Sequence, residues 1–393
     1  MKVSTAELPE VSSYLRPCFI PRYDGARPIR IWSRTASCHT AMDAKTRERY
    51  SRQILFGEIG EAGQSRLLTS SVVVVGCGAL GTAAANLLVR AGVGRLRIVD
   101  RDFVEDSNLQ RQTLFEEADA REALPKAVAA ERRLRAINSG VSVEGIVADV
   151  TPANIDSLLS GFPLLLDGTD NFETRLLLND YAVAHELPWV YAAVVAGYGV
   201  MMVIRPGQTA CLACLLEAGP QGAAEASPGA GAPRTEATCD TVGVLGAAAG
   251  VVASLEVAAA IKLLLGKPAP TEGQLTSCDV WGGRFQSIRV ERRADCRACG
   301  RREFAYLTGQ SQPHVTMCGR DSVQIHERRR QLDLVALGGQ LQAGGSHVRQ
   351  NEFLLRLQVP PYEMTVFADG RAVIKGTRDP AVARSLYARY VGS

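Results

Sequence analysis

The chain lacks an excess of charge of either sign: 44 Lys and Arg stand against 41 Asp and Glu, for a formal net charge of +3. Composition therefore implies no polyanion-binding surface, and nucleic acid is not an expected partner. A secretory leader is missing too, because Pro9, Pro17 and Pro21 interrupt what would have to be a continuous apolar core. One stretch, Val242 to Leu265, is apolar enough to resemble a membrane span. Ser254, Glu256 and Lys262 interrupt it, while Gly243, Gly246 and Gly250 suit close helix packing. It reads as a buried helix, with no membrane role, because a charged pair inside a bilayer would be costly. There is no G-x-x-x-x-G-K-[ST] phosphate loop and no internal repeat. The ten cysteines form no dense secreted-style framework. That points to a reducing, cytoplasmic setting with metal or thiol chemistry.

At 393 residues the chain has room for two or three units and a full core. Residues 1–41 carry no periodicity and are rich in Pro, Arg and Ser, so they read as a disordered or mis-assigned extension, with an Arg-rich targeting segment as the alternative. A helical pattern begins just after Met42. From Val72 strands and helices alternate as a parallel α/β sheet requires. Expected helices cover Gly81 to Arg90 and Asp119 to Ile137; expected strands cover Val141 to Val147, Pro163 to Asp167, Trp189 to Ala193 and Gly199 to Ile204. Gly219 to Ala237 is rich in Gly, Ala and Pro and reads as a mobile loop. After about Glu303 the pattern changes. Phe353 to Val359 and Glu363 to Phe367 alternate like half-buried strands, Asp369-Gly370 reads as a hairpin turn, and Asp379-Pro380 caps a last helix. The expectation is a Rossmann-like, mostly parallel sheet flanked by helices over 42–302, with a small α+β domain over 303–393.

Val72 to Val75 reads as a buried strand, and Gly76-Cys-Gly-Ala-Leu-Gly81 follows it as G-x-G-x-x-G. Glycines there let the backbone turn tightly and approach a ligand, and the next helix presents its N–H groups and positive dipole end. Arg95 to Asp100 reads as a second strand ending in a carboxylate placed to accept from ribose hydroxyls. Alone, this describes a dinucleotide-binding oxidoreductase. Ser107-Asn-Leu-Gln-Arg-Gln112 then changes the reading, with Ser107, Asn108, Leu109, Gln110 and Arg111 on the phosphate side. Asn108 can donate to a phosphate oxygen and Arg111 offers a fork of donors. Lys126, just after Pro125, adds a mobile point charge at a helix start. Asp170 offers the hard oxygen that magnesium prefers, with the Asn171 amide beside it. Taken singly these are solvated charges and turn residues; in this order behind a glycine loop they describe a triphosphate site. Arg52, in Arg49-Tyr-Ser-Arg-Gln53, is a further phosphate candidate, with a helix-surface arginine as the plainer reading.

In this order these segments resemble the ThiF/MoeB/HesA family, relatives of ubiquitin-activating enzymes that adenylate the C-terminal glycine of ubiquitin-like sulfur carriers. The resemblance spans about Met42 to Arg302 and rests on Arg49 to Gln53, Gly76 to Gly81, Asp100, Ser107 to Gln112, Pro125-Lys126 and Asp167 to Asn171. It implies ATP and magnesium as cosubstrates, with Asp100 on the ribose, Asn108, Arg111 and Lys126 on the phosphates, and Asp170 on magnesium. It also implies a homodimer in which Arg52 reaches the partner's site. Gly76, Gly78 and Gly81 match the family loop, whereas Ala79 stands where many relatives have glycine.

Cys211-Leu-Ala-Cys214 and Cys296-Arg-Ala-Cys299 are two C-x-x-C pairs, a closed tetrahedral zinc set if they meet and redox or buried thiols if they do not. Cys239 sits just before the long apolar helix, where a thiol's pKa falls and an activated acyl group can be attacked. The family's catalytic or persulfide-linked cysteine matches that position. Cys318 is a weaker second candidate. The expected reaction is attack by a carrier's terminal carboxylate on the α-phosphate of ATP, preparing the carrier for thiolation by a sulfur donor such as a cysteine desulfurase or rhodanese. An NAD-dependent oxidoreductase, a scaffold without turnover, and a tRNA- or peptide-modifying adenylating enzyme remain the alternatives. The region after residue 302 is short for a rhodanese domain and reads as a docking or dimer-contact module.

Overall fold

The computed structural model describes residues 23–24, 27–28, 42–217, 242–267, 272–309, 322–326 and 332–392. Two compact units divide between Arg52 and Gln53. The first carries α1 (Ala44–Arg49), whose start is capped by the Asp43 carboxylate accepting from Thr46 N at 2.6 Å. Helix α2 (Ser51–Ile54) bears Arg52.

The second unit starts with α3 (Gly60–Leu68) and β1 (Ser71–Val75), four of whose five residues are valines and all four buried. There follow α4 (Ala79–Ala91), β2 (Arg95–Asp100), a 3-10 turn at Asp106–Asn108, α5 (Glu117–Arg121), α6 (Lys126–Ile137) and β3 (Ser142–Val147). Next come α7 (Ile155–Leu159), β4 (Leu165–Asp167), α8 (Phe172–Ala184), β5 (Trp189–Val195) and β6 (Tyr198–Ile204). Then α9 (Leu212–Glu217), α10 (Gly246–Leu264), β7 (Gln274–Asp279) and β8 (Arg284–Arg289) complete an eight-stranded sheet of order β8-β7-β6-β5-β4-β1-β2-β3. Strands β3, β2, β1, β4 and β5 run parallel, and β6 to β8 are added antiparallel. The strand order reverses direction at the β1–β4 junction, where α/β sheets of this kind open a ligand crevice.

Two expectations need correction. The helix expected over Asp119 to Ile137 is two helices, because Pro125, with ψ 135°, sits outside helical geometry and caps α6. The first helix begins at Ala79, not Gly81, since the glycine loop itself supplies its cap at Gly78.

A second sheet, β9 (Ser322–His326), β10 (Val348–Gln350), β11 (Leu354–Val359), β12 (Tyr362–Phe367) and β13 (Arg371–Lys375), is wholly antiparallel in the order β9-β13-β12-β11-β10. Helices α11 (Leu334–Ala343) and α12 (Pro380–Tyr390) pack on it. The β12–β13 turn contains Gly370 at φ 84°, and Asp379 caps α12 by accepting from Ala381 N, as the turn and cap residues predict.

Helix α10 is long and apolar enough to cross a bilayer by length and composition, yet half of its most apolar window is buried inside the structure, against α4, β5 and β6. Its Glu256 is 1 % exposed and neither carboxyl oxygen makes a well-formed hydrogen bond. Burial, and next the Asp167 carboxylate, push this acid well above the usual carboxyl range. Folded Glu256 thus holds its proton more tightly than the unfolded chain does. Its contribution to stability is full below the ordinary carboxyl pKa of about 4.3 and is lost as pH rises through the raised folded value. Glu256→Gln mimics the neutral form at every pH. Its melting midpoint should exceed the parent's at pH 8 by about 2 °C or more and match it near pH 4; equal midpoints at pH 8 would contradict a neutral Glu256.

Candidate active site

Three glycine backbones interlock where β1 and β4 end. Gly76 has φ 94°, and a Cβ there would lie 2.4 Å from the Gly168 carbonyl. A Cβ on Gly81 would lie 1.9 Å from Gly76 O, and one on Gly168 2.4 Å from the same oxygen. Gly78 differs: a Cβ there meets nothing nearer than Gly168 O at 3.8 Å. No protein atom requires glycine at 78, so the open space above it is room for a ligand close to the α4 amino end.

Asp100 closes β2 beside this loop. Its two oxygens accept from Cys77 N at 2.6 Å and Asp102 N at 2.7 Å, which locks the carboxylate under the glycine turn. Burial raises its pKa, opposed by the nearby Lys126 charge. Lys126 is not the mobile charge expected from sequence. It is 4 % exposed and Nζ lies 3.1 Å from Asp102 Oδ2. The backbone explains this: Lys126 N donates to Asp102 O at 2.8 Å and Val104 N to Leu124 O at 2.8 Å, so residues 102–104 and 124–126 form a clip.

At the 3-10 turn, Glu105 and Asn108 form a capping box, with Asn108 Oδ1 accepting from Glu105 N at 3.1 Å. That bond fixes the amide; the side chain is 1 % exposed and Nδ2 lies 3.5 Å from Ser107 Oγ, leaving its second N–H as the donor a ligand could use. Arg111 is half-buried and its Nη1 donates to Ser107 O at 2.8 Å; Ser107 and Gln110 are exposed and Leu109 packs on the core. The start of α10 abuts this turn, since a Cβ on Gly246 would meet Gln110 O at 3.0 Å.

The acidic segment after β4 divides into two parts. Asp167 is fully buried and binds Thr169 N, Thr169 Oγ1 and Arg175 Nε at 2.9, 2.6 and 3.0 Å. Arg175 also donates to Thr169 O at 2.6 Å, so a buried ion pair shapes the loop. Burial works against the Arg175 charge, and Asp167, Tyr191 and Asp170 together more than offset it. Asp170, at the outer end, is exposed and makes no hydrogen bond among the described residues. Asn171 serves as the α8 cap, its Oδ1 accepting from Thr174 N at 2.8 Å.

Sequence reading missed Arg101 and Asp149. Arg101 Nη1 lies 3.0 Å from Asp149 Oδ1, and although burial opposes its charge, Asp149, Asp102, Asp170 and Asp100 hold its pKa above the usual arginine range. Its place directly after a strand-ending carboxylate was the available signal. Arg52 is an exposed residue of α2. Cys239 and Cys318 lie outside the described residues, as does Gly219 to Ala237.

The two C-x-x-C pairs meet. Cys211, Cys214, Cys296 and Cys299 are buried with all four sulfurs within 4.8 Å of one another. Sγ separations are 3.9 Å for Cys211–Cys214, 3.7 Å for Cys211–Cys296 and 3.3 Å for Cys214–Cys299. A tetrahedron with zinc–sulfur bonds of about 2.3 Å has edges near 3.8 Å, so the donor set fits zinc.

A family model described as the ThiF family matches residues 50–298. The chain belongs to the ThiF family. The ThiF-type chain is 44% identical over 348 residues to the sulfur carrier protein ThiS adenylyltransferase of Bacillus subtilis (strain 168), covering 88% of this chain and 99% of that protein. It is 35% identical over 314 residues to the adenylyltransferase and sulfurtransferase MOCS3 of Mus musculus, covering 80% and 65%. Among solved structures, Escherichia coli MccB with ATP shares the fold with a TM-score of 0.53 and 24% identity, over 64% of this chain and 74% of that one. The oxidoreductase alternative gains no support from these relatives.

The glycines yield contrasting expectations. Gly81→Ala should destabilise the fold by about 3 kcal/mol in chemical denaturation, because backbone must move. Gly78→Ala should leave stability within about 0.5 kcal/mol yet weaken nucleotide binding roughly tenfold or more in a calorimetric titration. Intact binding by folded Gly78→Ala would show that the ligand does not lie there.

Proposed function

We propose that this chain is an ATP-dependent adenylyltransferase that activates the C-terminal glycine of a ubiquitin-like sulfur-carrier protein. One observation carries the reading: an open glycine cradle lies at the same sheet crossover as Lys126, the Asn108 amide and the exposed carboxylate of Asp170. The 44% identity over 88% of the chain to an adenylyltransferase of a sulfur carrier supports it.

In this reading the carrier's terminal carboxylate oxygen attacks the α-phosphorus in line. A new C–O–P bond forms, the bond from the α-phosphorus to the bridging oxygen breaks, and pyrophosphate leaves with that electron pair. Asp100 retains lone pairs for the ribose hydroxyls. Lys126 exchanges its Asp102 contact for a phosphate oxygen, and Asn108 Nδ2 and Arg111 donate to the phosphates, stabilising charge that develops in the transition state. Magnesium, held by Asp170 and the phosphates, would supply further charge neutralisation. Zinc in the four-cysteine set would tie residues 296–299 to the start of α9 as a structural site.

Arg52 is assigned to the phosphate site of a second copy in a homodimer. Cys239 is assigned to the transfer that follows adenylation, with sulfur supplied by a separate donor. The start of α10 beside Gln110 supports this, because Cys239 precedes Gly246 by seven residues in the sequence.

The test is ATP–pyrophosphate exchange with purified carriers ending in Gly-Gly. Exchange should depend on the carrier. Asp170→Ala should lower it on the order of 10²-fold or more, while Cys239→Ala should leave it intact and impair only sulfur transfer. Folded protein that exchanges with none of several such carriers would refute the activity. Shared sites give a second test. Co-expressed Arg52→Ala and Asp170→Ala chains should regain exchange that neither variant has alone, since mixed dimers contain one intact site. No recovery from isolated mixed dimers would place Arg52 elsewhere.

A further inference from the structure

The second sheet, read from sequence as a docking or dimer-contact module, makes contacts within the chain that converge on the clip beneath the nucleotide cradle. Lys375, at the end of β13, places Nζ 2.5 Å from Glu105 Oε1, and both side chains are mostly buried (30 % and 21 % exposed). Glu105 is the residue whose capping box orients Asn108. On the other half of the clip, Asn351 donates to the carbonyls of Glu122 and Ala123 at 3.0 and 3.3 Å. Those carbonyls lie immediately before the 124–126 half of the clip. Between the halves, Phe103 is 7 % exposed and packs with Leu354, Phe367 and Val373. The Arg356 guanidinium lies 4.0 Å from the Phe103 ring centroid. Apolar packing, a cation over the ring and a short ion pair thus meet on one seven-residue stretch, 102–108, that carries no catalytic group itself except Asn108.

We propose that Lys375 is a positioning residue for the nucleotide: by holding Glu105 it fixes the capping box and so aims Asn108 Nδ2 at the phosphates. The second sheet is therefore a buttress of the ATP site. This rests on the adenylyltransferase reading above. The physical reason is geometric. A 3-10 turn of three residues has little rigidity of its own, and its single cap decides where the Asn108 amide points. A charge-assisted bond from an ordered strand holds that cap better than water would. An amide held in place binds phosphate without an ordering cost at each turnover.

The test uses full-length protein and carrier-dependent exchange, with ATP and carrier varied separately. Lys375→Met should raise the KM for ATP about tenfold, equivalent to about 1.4 kcal/mol. The KM for the carrier and the melting midpoint should stay near parental values. Lys375→Arg, which keeps the charge, should restore most of the ATP affinity. Glu105→Gln should match Lys375→Met, and the double variant should be no worse than either single one, because both break the same ion pair. A folded Lys375→Met with parental KM for ATP would overturn the proposal. So would ATP and carrier constants rising together with a lowered midpoint, or additive effects in the double variant. If the parent protein itself shows no exchange, the adenylyltransferase reading fails and takes this inference with it. Exchange by the parent with no ATP effect in Lys375→Met sinks this inference alone.

Discussion

Backbone meets backbone at the β1–β4 crossover with no side chain between, and the rest of the site is arranged around that contact. Gly76 and Gly168 approach so closely that any Cβ would force strands apart. Two loops from different strands can therefore share one crevice. The amino end of α4 comes from the first, and the Asp167-to-Asn171 segment from the second. An ion pair that is itself buried, Asp167 with Arg175, then shapes the second loop without occupying the crevice. Separating them costs more than either contributes alone, since each would be left as an uncompensated buried charge.

Around the crevice each of two cations is paired with a carboxylate, and carboxylates outnumber them. Lys126 sits against Asp102, and Arg101 against Asp149 with Asp170, Asp102 and Asp100 nearby. Such a set holds positive groups in a partly dry place because the carboxylate attraction offsets the desolvation that burial brings. The second sheet adds to the same economy from behind: Gln324 donates to Asp149 at 2.8 Å, and Lys375 to Glu105.

Much of this was readable in the sequence, because the signals were local. The valine run of β1 and the glycine spacing after it gave the crossover, and carboxylates at strand ends gave Asp100 and Asp167. Asp369-Gly370 and Asp379-Pro380 marked a turn and a cap that both form. What escaped were relations between distant residues. The apolar pattern continues on both sides of Pro125, so Asp119 to Ile137 reads as one helix, although Pro125-Lys126 by itself reads as a helix start. Lys126 looked solvated because Asp102, 24 residues earlier, is brought to it only by the clip. Nothing in the alternation of Phe353 to Phe367 told where that sheet would pack. Asp167 and Asp170 have similar local surroundings in sequence, yet one is a buried anchor and the other faces solvent.

All six cysteines among the described residues are buried, the four clustered ones included. Closed packing gives a bulky electrophile in solution no line of approach to those six sulfurs, so none of them reacts without the fold first opening.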